Sequence, residues 1–230
     1  MPTFSSHRRF TLAVFAFVVA TTTNLPADVI PPANLHQGDK YQLIFITAGT
    51  RDATSPYIDD YNAFVTQEAA LNPYLPSGVS WRAVASTQNT PANVNVTAYD
   101  SIPIYNTHGD RVADGRTQLW SGQLGPPCFD QYGVWSPTEV WTGSLSNGDP
   151  FPDFPLGNTT PNNSGNFISL LGGQTVNWLC EVGAVEIFLA PLYGISSPIT
   201  VTIPEPSTLV LLCTGIAVVL THVWRRRKRV

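Results

Sequence analysis

The feature that most constrains this chain lies near its end, where Pro204, Glu205 and Pro206 precede an apolar run that five basic residues close. Residues 209–224 are mostly Leu, Val, Ile, Ala and Thr with no Asp, Glu, Lys or Arg, and Arg225, Arg226, Arg227, Lys228 and Arg229 follow without a gap. An apolar helix stopped by Lys and Arg reads as a membrane anchor, because the basic side is retained in the cytoplasm. Everything before Pro204 then lies outside. At 1.5 Å per residue the run spans only about 24 Å, short of the roughly 30 Å of a typical hydrocarbon core, which suits a transient anchor. A buried core helix of the same length would leave the five basic residues unexplained.

Proline motif, apolar span and basic end, in that order, resemble the PEP-CTERM sorting signal of bacterial exported proteins, with Pro204, Glu205 and Pro206 at the named motif. In that family an intramembrane, cysteine-transpeptidase-like enzyme, the exosortase, recognises and processes the signal. The resemblance therefore implies a sorted substrate with an exosortase-type partner. It covers residues 203–230 and concerns address, not activity.

The other end agrees. His7, Arg8 and Arg9 precede an apolar run over residues 10–20 that ends in Val18, Val19 and Ala20, the pattern of a secretory signal peptide. A cut after Ala20 fits the small-residue rule, with a second candidate near Ala27. The expected organisation is a signal peptide over 1–20, a linker over 21–37, an exported domain over 38–202 and a sorting signal with a transmembrane helix and basic cytoplasmic tail over 203–230.

The formal net charge of -4 hides an asymmetry, because seven of the twelve basic residues lie in the two ends. Between Asp28 and Thr202, Lys40, Arg51, Arg82, Arg111 and Arg116 face fifteen Asp and Glu, which leaves the exported part at about -10. Such a surface repels polyanions, so nucleic acid is excluded as a partner. Cys128 and Cys180 form an even pair in an oxidising compartment; they could make one disulfide or remain two free thiols, and are too few for a scaffold or a zinc site.

Gly, Pro, Asn, Thr and aromatic residues dominate the middle, favouring strands and long loops over a helical bundle. Residues 41–47 form a dense apolar run of strand length. The period then changes: Ser55 as N-cap, Pro56 as first helical residue, Asp59 and Asp60 in the first turn, and Tyr57, Tyr61, Phe64, Val65 and Glu68 on one face predict a helix ending near Leu71, before Asn72 and Pro73. Short strands are expected over 81–86 and 102–105, with a turn through Asn106 to Gly109. Tryptophan-glycine stretches occupy 118–122 and 140–144, and Asn147-Gly148 signals a turn. Residues 149–173 read as a long loop, and 182–189, apolar apart from Glu186, as the closing strand.

That order resembles a C-type-lectin-like layout. Trp81, Arg82, Ala83 and Ser86, then Ile102 to Tyr105 with Gly109, Leu119 to Gly122, and Val140 to Ser144 with Asn147 and Gly148 are similar to the motif order of the endostatin-like domain of collagen C-termini. The resemblance implies a single α+β, C-type-lectin-like (endostatin-like) domain with mixed or antiparallel short strands, one main helix and long loops. The basic heparin face, the N-terminal histidine zinc ligands and two of the four cysteines of that family have no counterpart here, so its ligands do not carry over.

Catalytic patterns are absent: no G-x-S-x-G, H-E-x-x-H, C-x-x-C or phosphate-cradling loop with Lys occurs. His108 with Cys128 or Cys180 has no supporting spacing as a nucleophile pair. Asp149 and Asp153 could serve an envelope hydrolase acting on polysaccharide, which needs two acids across a bond. In the long loop of lectin-like folds a calcium site is common, and Asn147, Asp149, Asp153 and Asn158 supply the oxygen ligands calcium takes. Trp135 or Trp141 could then stack on a sugar. The reading is a non-enzymatic exported protein of the cell surface or an extracellular polysaccharide matrix, with calcium-dependent carbohydrate binding as the alternative.

Overall fold

The computed structural model describes residues 32, 34–122, 125, 127–161, 168–173, 178–202, 215, 222 and 224. The signal peptide over 1–20, the motif Pro204-Glu205-Pro206 and the stop residues Arg225, Arg226, Arg227, Lys228 and Arg229 lie outside them, as does the transmembrane segment apart from Gly215, His222 and Trp224. Among the described residues no helix is long and apolar enough to cross a membrane.

The organising strand is β1 (Lys40–Ile46), buried along all but its first residue. Alternation sends Tyr41, Leu43 and Phe45 into one apolar cluster, with Tyr61, Val65, Trp81 and Trp141, and Ile44 and Ile46 into another, with Ile104, Leu119, Trp178 and Tyr193. Both faces of β1 are therefore core, as its near-continuous apolar sequence requires. The polar exception is Gln42, whose amide donates to the Ser196 carbonyl at 2.7 Å and to that of Thr97 at 3.0 Å.

The helix α1 (Ile58–Leu71) packs Tyr61, Val65 and Ala69 inward at intervals of four. Its end matches expectation, with Asn72 as C-cap before Pro73. Its start does not. Tyr57 occupies the N-cap position without a side-chain cap, while the Ser55 hydroxyl accepts the Tyr57 amide at 3.1 Å and donates to Asp60. Ser55 thus closes a local turn ahead of the helix, Pro56 falls before it, and Tyr57 is 71% exposed rather than core.

The remaining elements among the described residues are β2 (Trp81–Ala83), α2 (Ala92–Asn95), β3 (Ile104–Asn106), β4 (Arg111–Ala113), α3 (Arg116–Ser121), β5 (Val140–Trp141), β6 (Ile168–Gly172), β7 (Val182–Val185), β8 (Tyr193–Ser196) and β9 (Ile199–Thr200). A six-stranded sheet runs β2-β8-β1-β3-β4, with β9 antiparallel to the start of β1. The β1–β3 pair is parallel and the other pairs antiparallel. A second, antiparallel sheet runs β5-β6-β7. The domain is α+β, with one main helix and mixed short strands.

Three expectations are corrected. The interval 149–173 contains β6, paired on both sides. The stretch 182–189 is not the closing strand: β7 ends at Val185 in the smaller sheet, and the Phe188 amide turns back onto the Val185 carbonyl at 2.8 Å. The strands that close the main sheet are β8 and β9. Within that stretch the burial pattern is also inverted, with Glu186 4% exposed and Ile187, Phe188 and Leu189 all exposed. The two tryptophan-glycine stretches share letters only, since one is α3 and the other β5.

Packed structure begins before residue 38. Asn34 donates to the Tyr105 hydroxyl at 3.0 Å, and Leu35 packs on the first cluster. Gly38 then donates to the Val201 carbonyl at 3.0 Å, so the chain enters and leaves the domain at one pole, beside the start of β1. The opposite pole holds the ends of β1 and β3 and the start of β8.

Candidate functional site

The residues expected to share a calcium site form two separate turns. Asn147 donates to one Asp149 carboxylate oxygen at 2.7 Å and accepts the Asp149 amide at 3.1 Å, while Asn93 donates to the other oxygen at 2.9 Å. Asn158 donates to the carbonyls of Asp153 at 2.8 Å and Ile168 at 3.2 Å, and its own oxygen accepts the Thr160 amide at 3.0 Å. The oxygens and amides of Asn147, Asp149 and Asn158 are thus engaged in holding their own turns. Among the described residues no group of three or more His, Cys, Asp or Glu is placed to hold a metal ion.

Cys128 and Cys180 are both free, the first buried and the second half-buried, and burial pushes both thiols above their usual range. His108 pairs with Asp110 at 3.1 Å and stacks on Phe129, so its neighbours are an acid and a ring. Trp141 cannot stack on a sugar: it is fully buried, and its indole nitrogen donates to the Arg51 carbonyl at 3.1 Å. The half of the expectation that lands on the surface is Trp135, 56% exposed.

Trp135 belongs to a feature that sequence reasoning missed. Residues 129–135 form a tight hairpin closed by the Phe129–Trp135 bridge. One Asp130 carboxylate oxygen accepts the amides of Tyr132 at 2.8 Å and Val134 at 2.9 Å, and the Asp130 carbonyl accepts the Gly133 amide at 3.0 Å. Gly133 sits at φ 75°, where a side chain is disfavoured. An Asp followed three residues later by Gly, between aromatics, was the available signal.

The hairpin is fastened to the pole opposite the chain ends. Its Phe129 carbonyl accepts the amide of Ile46, the last residue of β1, at 2.8 Å. Gln131, 1% exposed, accepts the Ala48 amide at 2.7 Å and donates to Glu68 at 3.0 Å, while its carbonyl takes the Asn72 side chain. The Thr107 hydroxyl, just beyond β3, donates to the Asp130 carbonyl at 2.6 Å. Polar residues point inward and are satisfied, whereas Tyr132, Val134 and Trp135 point out.

Two other places were candidates for chemistry. A cavity of about 300 Å³ lies between the end of α1 and the segment before β2, lined by Thr66, Ala69, Asn72, Leu75, Val79 and Trp81 among others. No titratable group lines it. Glu186 is the described carboxyl group pushed above its usual range, by burial first and by the nearby charge of Asp52, against the opposing hydrogen bonds from Ser169 and the Asn158 backbone. The Ser169 hydroxyl donates to it at 2.9 Å, so it is closed off rather than aimed at solvent.

Residues 202–228 match the family model of the PEP-CTERM protein-sorting motif. The chain thus carries this motif directly after β9, and the motif indicates a protein that an exosortase sorts to the cell surface. No curated protein matches the chain.

Proposed function

We propose that this chain is a non-enzymatic exported protein of the cell surface or extracellular matrix, carried out by its signal peptide and held by a brief C-terminal anchor until sorting. The observation that carries the reading is polarity. The sorting motif begins at residue 202, beside Gly38, while the exposed rings of the 129–135 hairpin stand at the other end of β1. A chain tethered after Thr202 therefore turns its entry and exit pole to the membrane and its aromatic pole outward.

The non-enzymatic part of the reading is supported by how the acids are used. Asp149 and Asp130 hold turns, and Glu186 is buried under Ser169. We also read the domain as lectin-like, endostatin-like in detail; support comes from the order of one strand, one main helix, short strands, a long insertion and returning strands against β1.

The test is protease treatment of intact cells followed by detection of the domain. Digestion of the 38–202 region without lysis is the expected result. A domain protected until the cells are broken contradicts the reading.

A further inference from the structure

We propose that the outward face of the 129–135 hairpin is a metal-independent platform for a neutral polysaccharide chain. The inference rests on the outward-facing pole of the preceding reading and adds the ligand class. Its starting point is a contrast in burial within one short hairpin: Asp130 and Gln131 are 9% and 1% exposed, whereas Tyr132, Val134 and Trp135 are 49%, 59% and 56% exposed. The buried pair is tied to Ala48 just beyond β1, to α1 and its C-cap, to the residue after β3 and to the hairpin's own backbone. The three exposed apolar side chains are therefore held on a fixed mount. A surface pre-organised in this way binds without first ordering a loop.

The rings have a defined arrangement. His108 lies flat on Phe129, with centroids 4.5 Å apart and planes at 7°, and Trp135 meets Phe129 edge-on at 5.2 Å and 76°. Indole and imidazole thus flank the phenyl ring as two exposed surfaces. Each pyranose unit presents an apolar C–H face, which stacks on a ring, and an equator of hydroxyls, which needs donors and acceptors alongside. The exposed His108 and Asp110 side chains, joined at 3.1 Å, provide those groups at the platform's edge.

Charge selects among polymers. With five basic against fifteen acidic residues between Asp28 and Thr202, the domain repels polyanions, and Arg111, the cation nearest in sequence to His108, is already paired with Asp114 at 2.8 Å. A neutral chain fits. An apolar protein segment fits less well, because it would cover the exposed His108 and Asp110 side chains at the platform's edge without pairing them.

The experiment is affinity electrophoresis of the full chain in detergent micelles through gels containing soluble neutral glucans or mannans, alginate, or no polymer, each with calcium and with a chelator. Retardation by a neutral polymer, equal in both media and weakened about tenfold by Trp135→Ala, is expected. The control Tyr99→Ala, an exposed aromatic away from the hairpin, should not change it. A correctly folded protein, shown by an unchanged thermal transition, that no neutral polymer retards overturns the proposal. So does retardation that Trp135→Ala leaves intact, that the chelator abolishes, or that appears with alginate alone. Trp135-dependent self-association without retardation would make the face a protein contact and also overturn it. Protease accessibility on cells separates the two claims: an accessible domain without glycan binding loses the platform only, and a protected domain that binds glycan loses the export reading only.

Discussion

Gly38 donates its amide to the carbonyl of Val201 at 3.0 Å, and Val201 donates back to Asp39 at 2.9 Å. Residues near the two ends of the described fold are thus hydrogen-bonded neighbours, although most of the fold lies between them in sequence. Entry and exit therefore share one pole.

This junction should be sensitive to charge. Val201 is 4% exposed in the first apolar cluster, so Val201→Asp places an unpaired carboxylate there. A loss of about 3 kcal/mol or more is expected, read as a lower transition in thermal unfolding followed by tryptophan fluorescence.

Trp141 should behave as a core residue. Trp141→Phe removes the indole donor to the Arg51 carbonyl at 3.1 Å and the Phe188 carbonyl at 3.3 Å and should cost about 1–3 kcal/mol in chemical denaturation. Glycan retardation, by contrast, should be unchanged.

Glu186 gives a pH dependence of known sign. Its folded pKa lies above its unfolded value, chiefly through burial, so the folded state binds more protons. Its contribution to stability is present below the unfolded value, about 4.3, and is lost as pH rises through the folded value. Glu186→Gln should therefore raise the transition temperature at neutral pH and have less effect near pH 3, below the titration of both states. Equal shifts at both pH values would contradict a titrating Glu186.

The basic end should set topology. Neutralising Arg225, Arg226, Arg227, Lys228 and Arg229 removes the retained cytoplasmic charge, and the tail should become accessible to an external protease. An unchanged orientation would contradict the positive-inside assignment.

What could be read without the structure follows the range of the interactions involved. β1 was legible from its near-continuous apolar run and the body of α1 from its helical period, both of which are local signals. The sorting segment was legible because its residue order identifies it without reference to a fold. β6 was hidden because its partners, Val140 and Trp141 on one side and Val182 to Val185 on the other, are set by distant pairing. Glu186 misled because its carboxyl group is satisfied by Ser169, seventeen residues away, which lets an acid go inside while Ile187 and Phe188 stay out. The calcium residues were grouped by sequence proximity and ligand chemistry, and sequence could not say that Asn147 hydrogen-bonds Asp149 in one turn and Asn158 hydrogen-bonds Asp153 in another.

The most direct test of the account replaces Pro204, Glu205 and Pro206 with alanine and follows the protein by cell fractionation. Export should continue, while the variant accumulates in the membrane fraction as uncleaved precursor and disappears from the surface or medium. Sorting and release equal to those of the unaltered chain would contradict the central claim.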